Sequence, residues 1–207
     1  MKILLVDDHA IVRAGVRGLL ATMPRTELVE AATGEDALAL VRAGRPDLVI
    51  LDLNLPGIGG LELVRRLLVE DRTARLLVLS MHAEPLYAAR AIEAGARGYL
   101  SKNAAPEELL RAVRKVAEGG RYIENDIAQE LAVQTVSATR PLGQLADRDL
   151  EILRSLAEGR SMTEIAGALG LSYKTVANAC SQIKAKLGVA RTADLIRVAI
   201  EMGVAPG

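Results

Sequence analysis

The sequence predicts an α/β fold, a doubly wound five-stranded parallel sheet, joined to a second, small all-α domain. In the first 121 residues, short apolar runs alternate with helical patterns, which is typical of a parallel sheet covered by helices. The runs are nearly all apolar, as expected of strands buried on both faces. From residue 147 onward only helical patterns occur. Two domains of different class are therefore expected.

Five strands and five helices account for the first domain. The strands are predicted at residues 3–6, 27–30, 48–51, 76–79 and 98–100, of which the second is the weakest. The helices are predicted at residues 11–21, 35–43, 61–69, 84–94 and 106–117. Glycines mark the ends of these elements, at Gly34, Gly44, Gly95 and Gly119–Gly120.

A predicted linker at residues 122–140 separates the two domains. It begins with a possible helix at 126–134 and ends in a stretch with serine, threonine and proline, a composition typical of linkers. Helical spans follow at 149–157, 162–169, 173–187 and 192–202. The expected boundaries are therefore 1–121 for the first domain, 122–140 for the linker and 141–207 for the helical domain.

Composition excludes several classes of protein. With 207 residues, 50% hydrophobic and 25% charged, the chain is expected to be globular and soluble. The first apolar stretch is too short for a secretory signal and no run reaches membrane-spanning length, so a cytoplasmic location is expected. Cys180 is the only cysteine, which predicts a small core residue. The absence of Phe and Trp removes the stacking platforms of single-strand nucleic-acid binders.

Polar side chains follow the predicted strands at the points where the strands end. Asp7 and Asp8 follow the first strand, Asp52 follows the third, Ser80 follows the fourth, and Lys102 comes soon after the fifth. Open parallel sheets carry their chemistry at the carboxyl ends of strands. The sequence therefore predicts one acidic pocket with a lysine beside it.

Such a pocket needs positive charge. Carboxylates converging to about 4 Å repel each other by about 4 kcal/mol per pair at an effective dielectric near 20. Lys102 offsets one charge, and Mg²⁺, which favours carboxylates, carbonyls, waters and phosphate oxygens, is the expected supplement. Carboxylates also attack phosphorus to form aspartyl phosphates. Asp52, alone at its strand end, is the expected nucleophile.

A simpler interpretation assigns each residue a local role. Asp8 would cap the helix that starts near Ala10, Asp52 would cap a turn, and Lys102 would lie on the surface. Suitable groups at all four strand ends at once are harder to explain by capping alone. His9 and His82 are isolated, so solvent-exposed or capping roles are expected for them rather than metal ligation.

The predicted helix at 173–187 has one apolar and one polar face. The apolar face consists of Val176, Cys180, Ile183 and Leu187. The opposite, polar face carries Lys174, Asn178, Ser181 and Gln182, with Lys184 on one flank. The small side chains of Ala177 and Ala185 leave room for close approach to a partner. Such a helix fits the DNA major groove, with base contacts from Asn, Gln and Ser and phosphate contacts from Lys174, Thr175 and Lys186. Ser172 is placed as its N-cap, after a turn that begins at Gly170. An ordinary helical bundle with a polar exterior is the alternative.

The pattern Asp7-Asp8, Asp52, Ser80 and Lys102 resembles the receiver domain of response regulators, and the whole chain resembles NarL/FixJ-type two-component regulators. The resemblance implies a flavodoxin-like fold with Asp52 as phosphoacceptor. It further implies site roles for the remaining positions: metal carboxylates at Asp7 and Asp8, a metal-binding backbone carbonyl at Asn54, phosphoryl contacts from Ser80 and Lys102, and an aromatic switch at Tyr99. The sequence departs from the family at Asn103, where many receivers carry proline.

The helical domain resembles a LuxR-type helix-turn-helix. The resemblance is carried by six segments: Leu145 to Leu156, Glu158-Gly159, Glu164-Ile165-Ala166, Leu169-Gly170-Leu171-Ser172, Lys174-Thr175-Val176-Ala177-Asn178 and Lys186-Leu187-Gly188-Val189. Departures are Ala146-Asp147, where the family often has Thr-Pro, and Ala179, where it often has His.

Together these resemblances imply a transcription factor controlled by phosphorylation. A sensor histidine kinase would phosphorylate Asp52, and the helical domain would bind double-stranded promoter DNA. In similar proteins the unphosphorylated receiver masks the recognition helix, and phosphorylation frees it for binding as a homodimer through the last helix, residues 192–202. The expected chemistry is limited to autophosphorylation and slow autodephosphorylation at Asp52.

Two other functions remain open at this stage. A phosphatase or phosphotransferase also uses an aspartyl phosphate, but such enzymes need a second Asp two residues after the nucleophile, where this chain has Asn54. A phospho-controlled signalling adaptor would instead use the helical domain for protein contacts.

Overall fold

A computed structural model of the chain describes residues 1–81, 84–136, 145–201 and 204. The chain divides into two compact units, Met1–Ala83 with Tyr87–Gln129 and Glu84–Leu86 with Glu130–Gly207. His82, most of the serine- and proline-containing part of the predicted linker, the first residues of the predicted helical domain and Met202 lie outside the described residues.

The first unit contains a parallel sheet of six strands in the order β2-β1-β3-β4-β5-β6. The strands are β1 Lys2–Val6, β2 Glu27–Ala31, β3 Leu48–Leu51, β4 Leu76–Ser80, β5 Gly98–Ser101 and β6 Tyr122–Ile123. The five predicted strands are confirmed. The sixth was not predicted, because two residues are too few to give an apolar run. It pairs with β5 in the register Gly98↔Tyr122 and Tyr99↔Ile123, so the sheet extends beyond the boundary predicted at residue 121.

Helices cover the sheet. They are α1 Ala10–Leu20, α2 Gly34–Gly44, α3 Gly60–Glu70, α4 Pro85–Glu93 and α5 Pro106–Ala117. Side chains from α1 and α5 form one core with alternate residues of the central strands, among them Ile3, Leu5, Ile50 and Leu77. Helices α2 and α3 pack against each other, and α2 also contacts β1 and β2. Every residue of strands β3 and β4 is buried, which explains why the predicted runs at 48–51 and 76–79 are apolar throughout.

Helix α6, Asn125–Val136, follows β6, and the helical unit contains α7 Asp147–Ala157, α8 Met162–Ala168, α9 Tyr173–Leu187 and α10 Thr192–Glu201. These four helices share a core that includes Leu150, Leu153, Val176, Ile183 and Leu195. Cys180 is buried in the same core, as predicted. Within the described ranges, no helix has both the length and the apolar character needed to span a membrane.

Capping residues define the start and the end of α9. The Ser172 hydroxyl accepts a hydrogen bond from the Thr175 backbone N–H at 3.1 Å, which confirms the predicted N-cap. Gly188 ends the helix in the left-handed conformation, with φ of 68°, a conformation that favours glycine. Ser161 caps α8 by a reciprocal pair of hydrogen bonds with Glu164. Helix α8, the turn and α9 thus form a helix-turn-helix.

Candidate functional site

Backbone hydrogen bonds hold the carboxyl ends of the strands at one edge of the sheet. The Asp52 N–H donates to the Val6 carbonyl at 2.9 Å, and the Lys102 N–H donates to the Ser80 carbonyl at 2.8 Å. The residues that follow the strands are therefore neighbours although they are far apart in the sequence. This arrangement places Asp7, Asp52, Ser80 and Lys102 together.

Gly60 fixes the loop that follows Asp52. Its N–H donates to the Leu53 carbonyl at 3.1 Å, and α3 begins directly against this loop. A Cβ atom at Gly60 would lie 2.6 Å from the Leu53 carbonyl oxygen, which is a severe overlap with backbone. Glycine is therefore required for this close approach.

Lys102 joins two buried carboxylates. Its Nζ lies 2.6 Å from Asp7 Oδ2 and 2.6 Å from Asp52 Oδ2. The three side chains are 6%, 2% and 1% exposed for Lys102, Asp7 and Asp52 respectively. The alternative of a surface lysine is therefore wrong, and the predicted acidic pocket with a lysine beside it is present.

Burial and pairing shift the pKa values of this group in opposing ways. Burial raises the pKa of Asp52 above its ordinary value, although Lys102 and a hydrogen bond with the Asn54 backbone oppose the shift. Burial lowers the pKa of Lys102, but the hydrogen bonds and charges of Asp52 and Asp7 outweigh it, so the net shift is upward. The lysine therefore stays protonated between the carboxylates.

Asp8 and His9 extend the cluster toward solvent. Ligand atoms of Asp7, Asp8, His9 and Asp52 all lie within 4.8 Å of one another, and His9 Nδ1 is 2.8 Å from Asp8 Oδ1. His9, with its side chain 63% exposed, is the N-cap position of α1, so the alternative that Asp8 caps this helix is wrong. Its side chain makes no capping hydrogen bond.

The donor set fits a hard divalent cation. Three carboxylates and one ammonium leave two negative charges at this edge of the sheet, assuming all four groups are ionised. Among the described residues, Asp52 Oδ1 is buried and accepts no hydrogen bond, so one oxygen of the phosphoacceptor candidate has no donor that a ligand would have to displace. Oxygen donors of this kind are the ones that Mg²⁺ prefers. The acidic pocket is therefore compatible with Mg²⁺.

The remaining predicted residues surround this cluster. Ser80 is fully buried at the end of β4, and Tyr99 is fully buried in β5, opposite Val78 of β4. Asn54 lies in the exposed loop after Asp52. The peptide bond between Lys102 and Asn103 is trans.

Three further charged residues support the site but were not predicted. Arg13 donates from Nη1 to the Asp7 carbonyl at 2.6 Å and from Nε to Glu30 Oε2 at 3.2 Å. Glu124, just after β6, accepts a hydrogen bond from the Ser101 N–H at 2.8 Å. The sequence offered one hint, Glu30, a charged residue inside a predicted strand whose carboxylate a basic partner would stabilise.

In the helical unit, α9 presents the predicted polar face to solvent. The exposed residues include Lys174, Thr175, Asn178, Ser181, Gln182, Ala185 and Lys186, with Ala177 and Lys184 half-buried on the flanks. Val176, Cys180 and Ile183 are buried on the opposite face. Lys186 differs from the other lysines, because its Nζ lies 2.6 Å from Asp149 Oδ2.

Family comparisons agree with both units. Residues 3–114 match the family model described as "Response regulator receiver domain". Residues 143–199 match the model described as "Bacterial regulatory proteins, luxR family".

Similar proteins match over nearly the whole chain. Response regulator UvrY of Escherichia coli K12 is 38% identical over 99% of this chain and 95% of that protein. Response regulator GacA of Pseudomonas aeruginosa is 36% identical over 99% of this chain and 97% of that protein. A solved structure of the two-component response regulator RcsB in complex with DNA is 25% identical, with a TM-score of 0.62, covering 95% of this chain and 96% of that one.

The strand-end site, formed by Asp7, Asp52 and Lys102, and the fold around it define a receiver. A receiver joined to a DNA-binding helical domain defines the class of transcriptional response regulators. The chain belongs to the response-regulator family, in the NarL/FixJ group with a LuxR-type helix-turn-helix. Its family is one of DNA-binding regulators rather than enzymes.

Proposed function

We propose that a sensor histidine kinase phosphorylates Asp52 and that this phosphorylation controls sequence-specific DNA binding and transcription. The observation that carries the proposal is the state of the Asp52 carboxylate. One oxygen is held by Lys102 at 2.6 Å, and within the described part of the chain the other is buried without a hydrogen-bond donor. Lys102 thus fixes the orientation of the carboxylate, and no donor in the described protein competes with an electrophile for the second oxygen.

The transfer step follows from this arrangement. Asp52 Oδ1 forms a bond to phosphorus as the bond from phosphorus to the kinase histidine nitrogen breaks, and the electron pair of that bond returns to the imidazole. Lys102 and the Ser80 hydroxyl contact the phosphoryl oxygens and stabilise their charge. Asp7 holds Lys102 in place from the other side.

Mg²⁺ completes the charge balance of the site. Asp7, Asp8, Asp52 and the backbone carbonyl of Asn54 are the residues that would hold it. When bound, Mg²⁺ neutralises the carboxylates and the charge on the transferred group. His9 lies at the solvent side of this donor set and is given no ligand role.

Ser80 and Tyr99 would pass the signal to the rest of the receiver. The Ser80 hydroxyl moves toward the phosphoryl group, and the Tyr99 ring occupies the space behind it. The ring is already fully buried here, so the change requires only a shift between existing arrangements.

The DNA interface is the exposed face of α9. Asn178, Ser181 and Gln182 would contact base edges, while Lys174 and Thr175 at the start of the helix would contact phosphates. Ala177 permits close approach, and Lys184 lies on the flank. The proposed boundaries are 1–121 for the receiver, 122–140 for the linker and 141–207 for the DNA-binding domain, so the short strand β6 lies in the linker range although it pairs with β5. The phosphorylated protein would bind promoter DNA as a homodimer through α10.

The proposal is tested by loading the full chain with acetyl phosphate and Mg²⁺. We expect a phosphoprotein, seen by phosphate-affinity electrophoresis, that binds duplex DNA at least tenfold more tightly than the unloaded protein. Asp52→Asn is the matched control and should show neither effect. Unchanged DNA affinity after verified loading of Asp52 would contradict the control mechanism.

The alternatives give different results in the same assays. Binding to duplex DNA should weaken steeply with salt, because contacts to phosphates release counterions. An adaptor would show no such salt-dependent binding. Steady release of phosphate from a generic phosphoester would favour an enzyme over a regulator.

A further inference from the structure

The pair Lys186–Asp149 connects the two helices whose relative position sets the recognition surface. Lys186 lies in the last turn of α9 and Asp149 in the first turn of α7. The ammonium and Asp149 Oδ2 are 2.6 Å apart, and the Asp149 side chain is only 10% exposed. A carboxylate this buried is costly to leave unpaired.

Asp149 makes a second contact with the same oxygen. Its Oδ2 accepts a hydrogen bond from the Ala146 N–H at 3.1 Å, which satisfies a donor before the first turn of α7. The negative charge suits the amino end of α7, and the positive charge suits the carboxyl end of α9. One carboxylate therefore fixes both helix termini to each other.

The position of Lys186 around α9 also separates it from the DNA-facing residues. At 100° per residue, Lys186 lies about 80° from the buried Val176, whereas Asn178 lies about 160° from it. Lys186 therefore lies on the flank of α9 that contacts α7, away from Asn178 and Ser181, although its side chain is still 35% exposed. A phosphate contact would require breaking its pair with Asp149.

We propose that Lys186 is a positioning residue for DNA recognition, acting through Asp149 to hold α9 against α7, and is not a phosphate contact. This inference rests on the proposed DNA-binding function. It replaces the phosphate role that the sequence predicts for Lys186. It also predicts that the two members of the pair act as one unit.

The test compares Lys186→Met, Asp149→Asn and the double variant with Lys174→Met as the matched control. The full chain, loaded with acetyl phosphate and Mg²⁺, is titrated by fluorescence anisotropy at several salt concentrations. The ligands are a duplex enriched by the wild type from a random-sequence pool and a scrambled duplex of equal length. Circular dichroism at the assay temperature verifies that each variant is folded.

We expect Lys186→Met to weaken binding to the enriched duplex about tenfold with the salt slope unchanged, and to reduce the preference over the scrambled duplex. Lys174→Met should weaken both duplexes equally and reduce the slope by about 1. The double variant should bind no more weakly than Lys186→Met alone, because the two residues form one interaction. Lys186→Arg and Asp149→Glu, which keep the charges, should retain affinity within about twofold of the wild type.

Two outcomes overturn the inference while leaving the proposed function intact. One is a slope reduced by about 1 in Lys186→Met with no effect of Asp149→Asn, which is the behaviour of a phosphate contact. The other is full affinity and preference in both Lys186→Met and Asp149→Asn. If Asp149→Asn fails to fold, the salt slope and the duplex preference of Lys186→Met still decide between the two roles. A wild type without salt-dependent DNA binding would contradict the proposed function as well.

Discussion

The strand-end site and the exposed face of α9 use polar residues in opposite ways. At the strand ends, Asp7, Asp52 and Lys102 are buried and compensate one another within 2.6 Å. On α9, residues such as Asn178 and Gln182 are exposed, and the partners proposed for them are outside the protein. Substitutions at the first site should therefore change the stability of the protein itself, whereas those on α9 should mainly change its binding.

The largest change in unfolding free energy is expected for Lys102→Met. Lys184→Met, on the flank of α9, is the matched control. Removing the Lys102 ammonium leaves two buried carboxylates facing each other, which should lower the unfolding free energy by about 3–5 kcal/mol at neutral pH. Lys184→Met should change it by less than about 0.5 kcal/mol. The measurement is urea unfolding of the full chain without Mg²⁺, with amide hydrogen exchange of β1 and β3 peptides resolving the receiver. Equal small changes in both variants would contradict the comparison.

The half-buried Glu151 tests a carboxylate whose pKa is shifted in the helical unit. Burial raises the pKa of Glu151 to about 7, with repulsion from Asp147 adding to the shift and Arg148 opposing it. A raised pKa in the folded state means that the stabilisation is complete below the ordinary pKa of 4.5 and is lost as the pH rises through about 7.

We therefore expect the helical unit to lose up to about 3 kcal/mol between pH 4.5 and pH 8 from this group. Glu151→Gln should remove that dependence. Hydrogen exchange of α7 peptides under urea at the two pH values measures it. A wild type and variant with the same pH profile would show that Glu151 titrates normally.

Gly60 tests how tightly the loop after Asp52 is packed. Gly60→Ala should lower the unfolding free energy by about 1–3 kcal/mol, because its Cβ overlaps the Leu53 backbone. Gly167→Ala on α8 is the matched control, since a Cβ there meets no described atom within 4 Å. It should stabilise the protein by about 0.5–1 kcal/mol. Thermal unfolding of the two variants measures this difference. If Gly167→Ala were destabilised as well, overlap with the Leu53 backbone would not be the reason why Gly60→Ala is destabilised.

The smallest effect is expected at the N-cap of α9. Ser172→Ala removes the acceptor for the Thr175 N–H and should cost about 1 kcal/mol. Ser181→Ala, on the exposed face of the same helix, should stay within about 0.5 kcal/mol of the wild type. Hydrogen exchange at the first turn of α9 reports the difference, and equal protection in both variants would argue against the cap.

The sequence predicted those helices and strands whose limits are marked by residues within or next to the element itself. Strand β3 and helices α5 and α9 begin and end at the predicted residues, because apolar runs, Pro106 and the Ser172 cap mark them directly. The convergence of Asp7, Asp52 and Lys102 was also predictable, since the ends of parallel strands share one edge.

Long-range side-chain contacts were not predictable in the same way. Strand β6 is too short for a pattern, and the contacts of Arg13, Glu124 and Lys186 join residues on separate elements whose relative orientation the sequence does not specify. Lys186 illustrates the limit. Its residue type suits a phosphate contact, and only its pairing with Asp149 supports the positioning role proposed for it.

The hydrogen bond from the Ser101 N–H to Glu124 has a practical consequence for cutting the protein into fragments. A receiver truncated at residue 121 would lose β6 and Glu124 together. Strand β5, which leads to Lys102, would then become an exposed edge strand with unpaired backbone groups. Exposed edge strands promote association between copies of a protein. A fragment that continues through Ile127, whose side chain is buried, would keep β5 paired with β6.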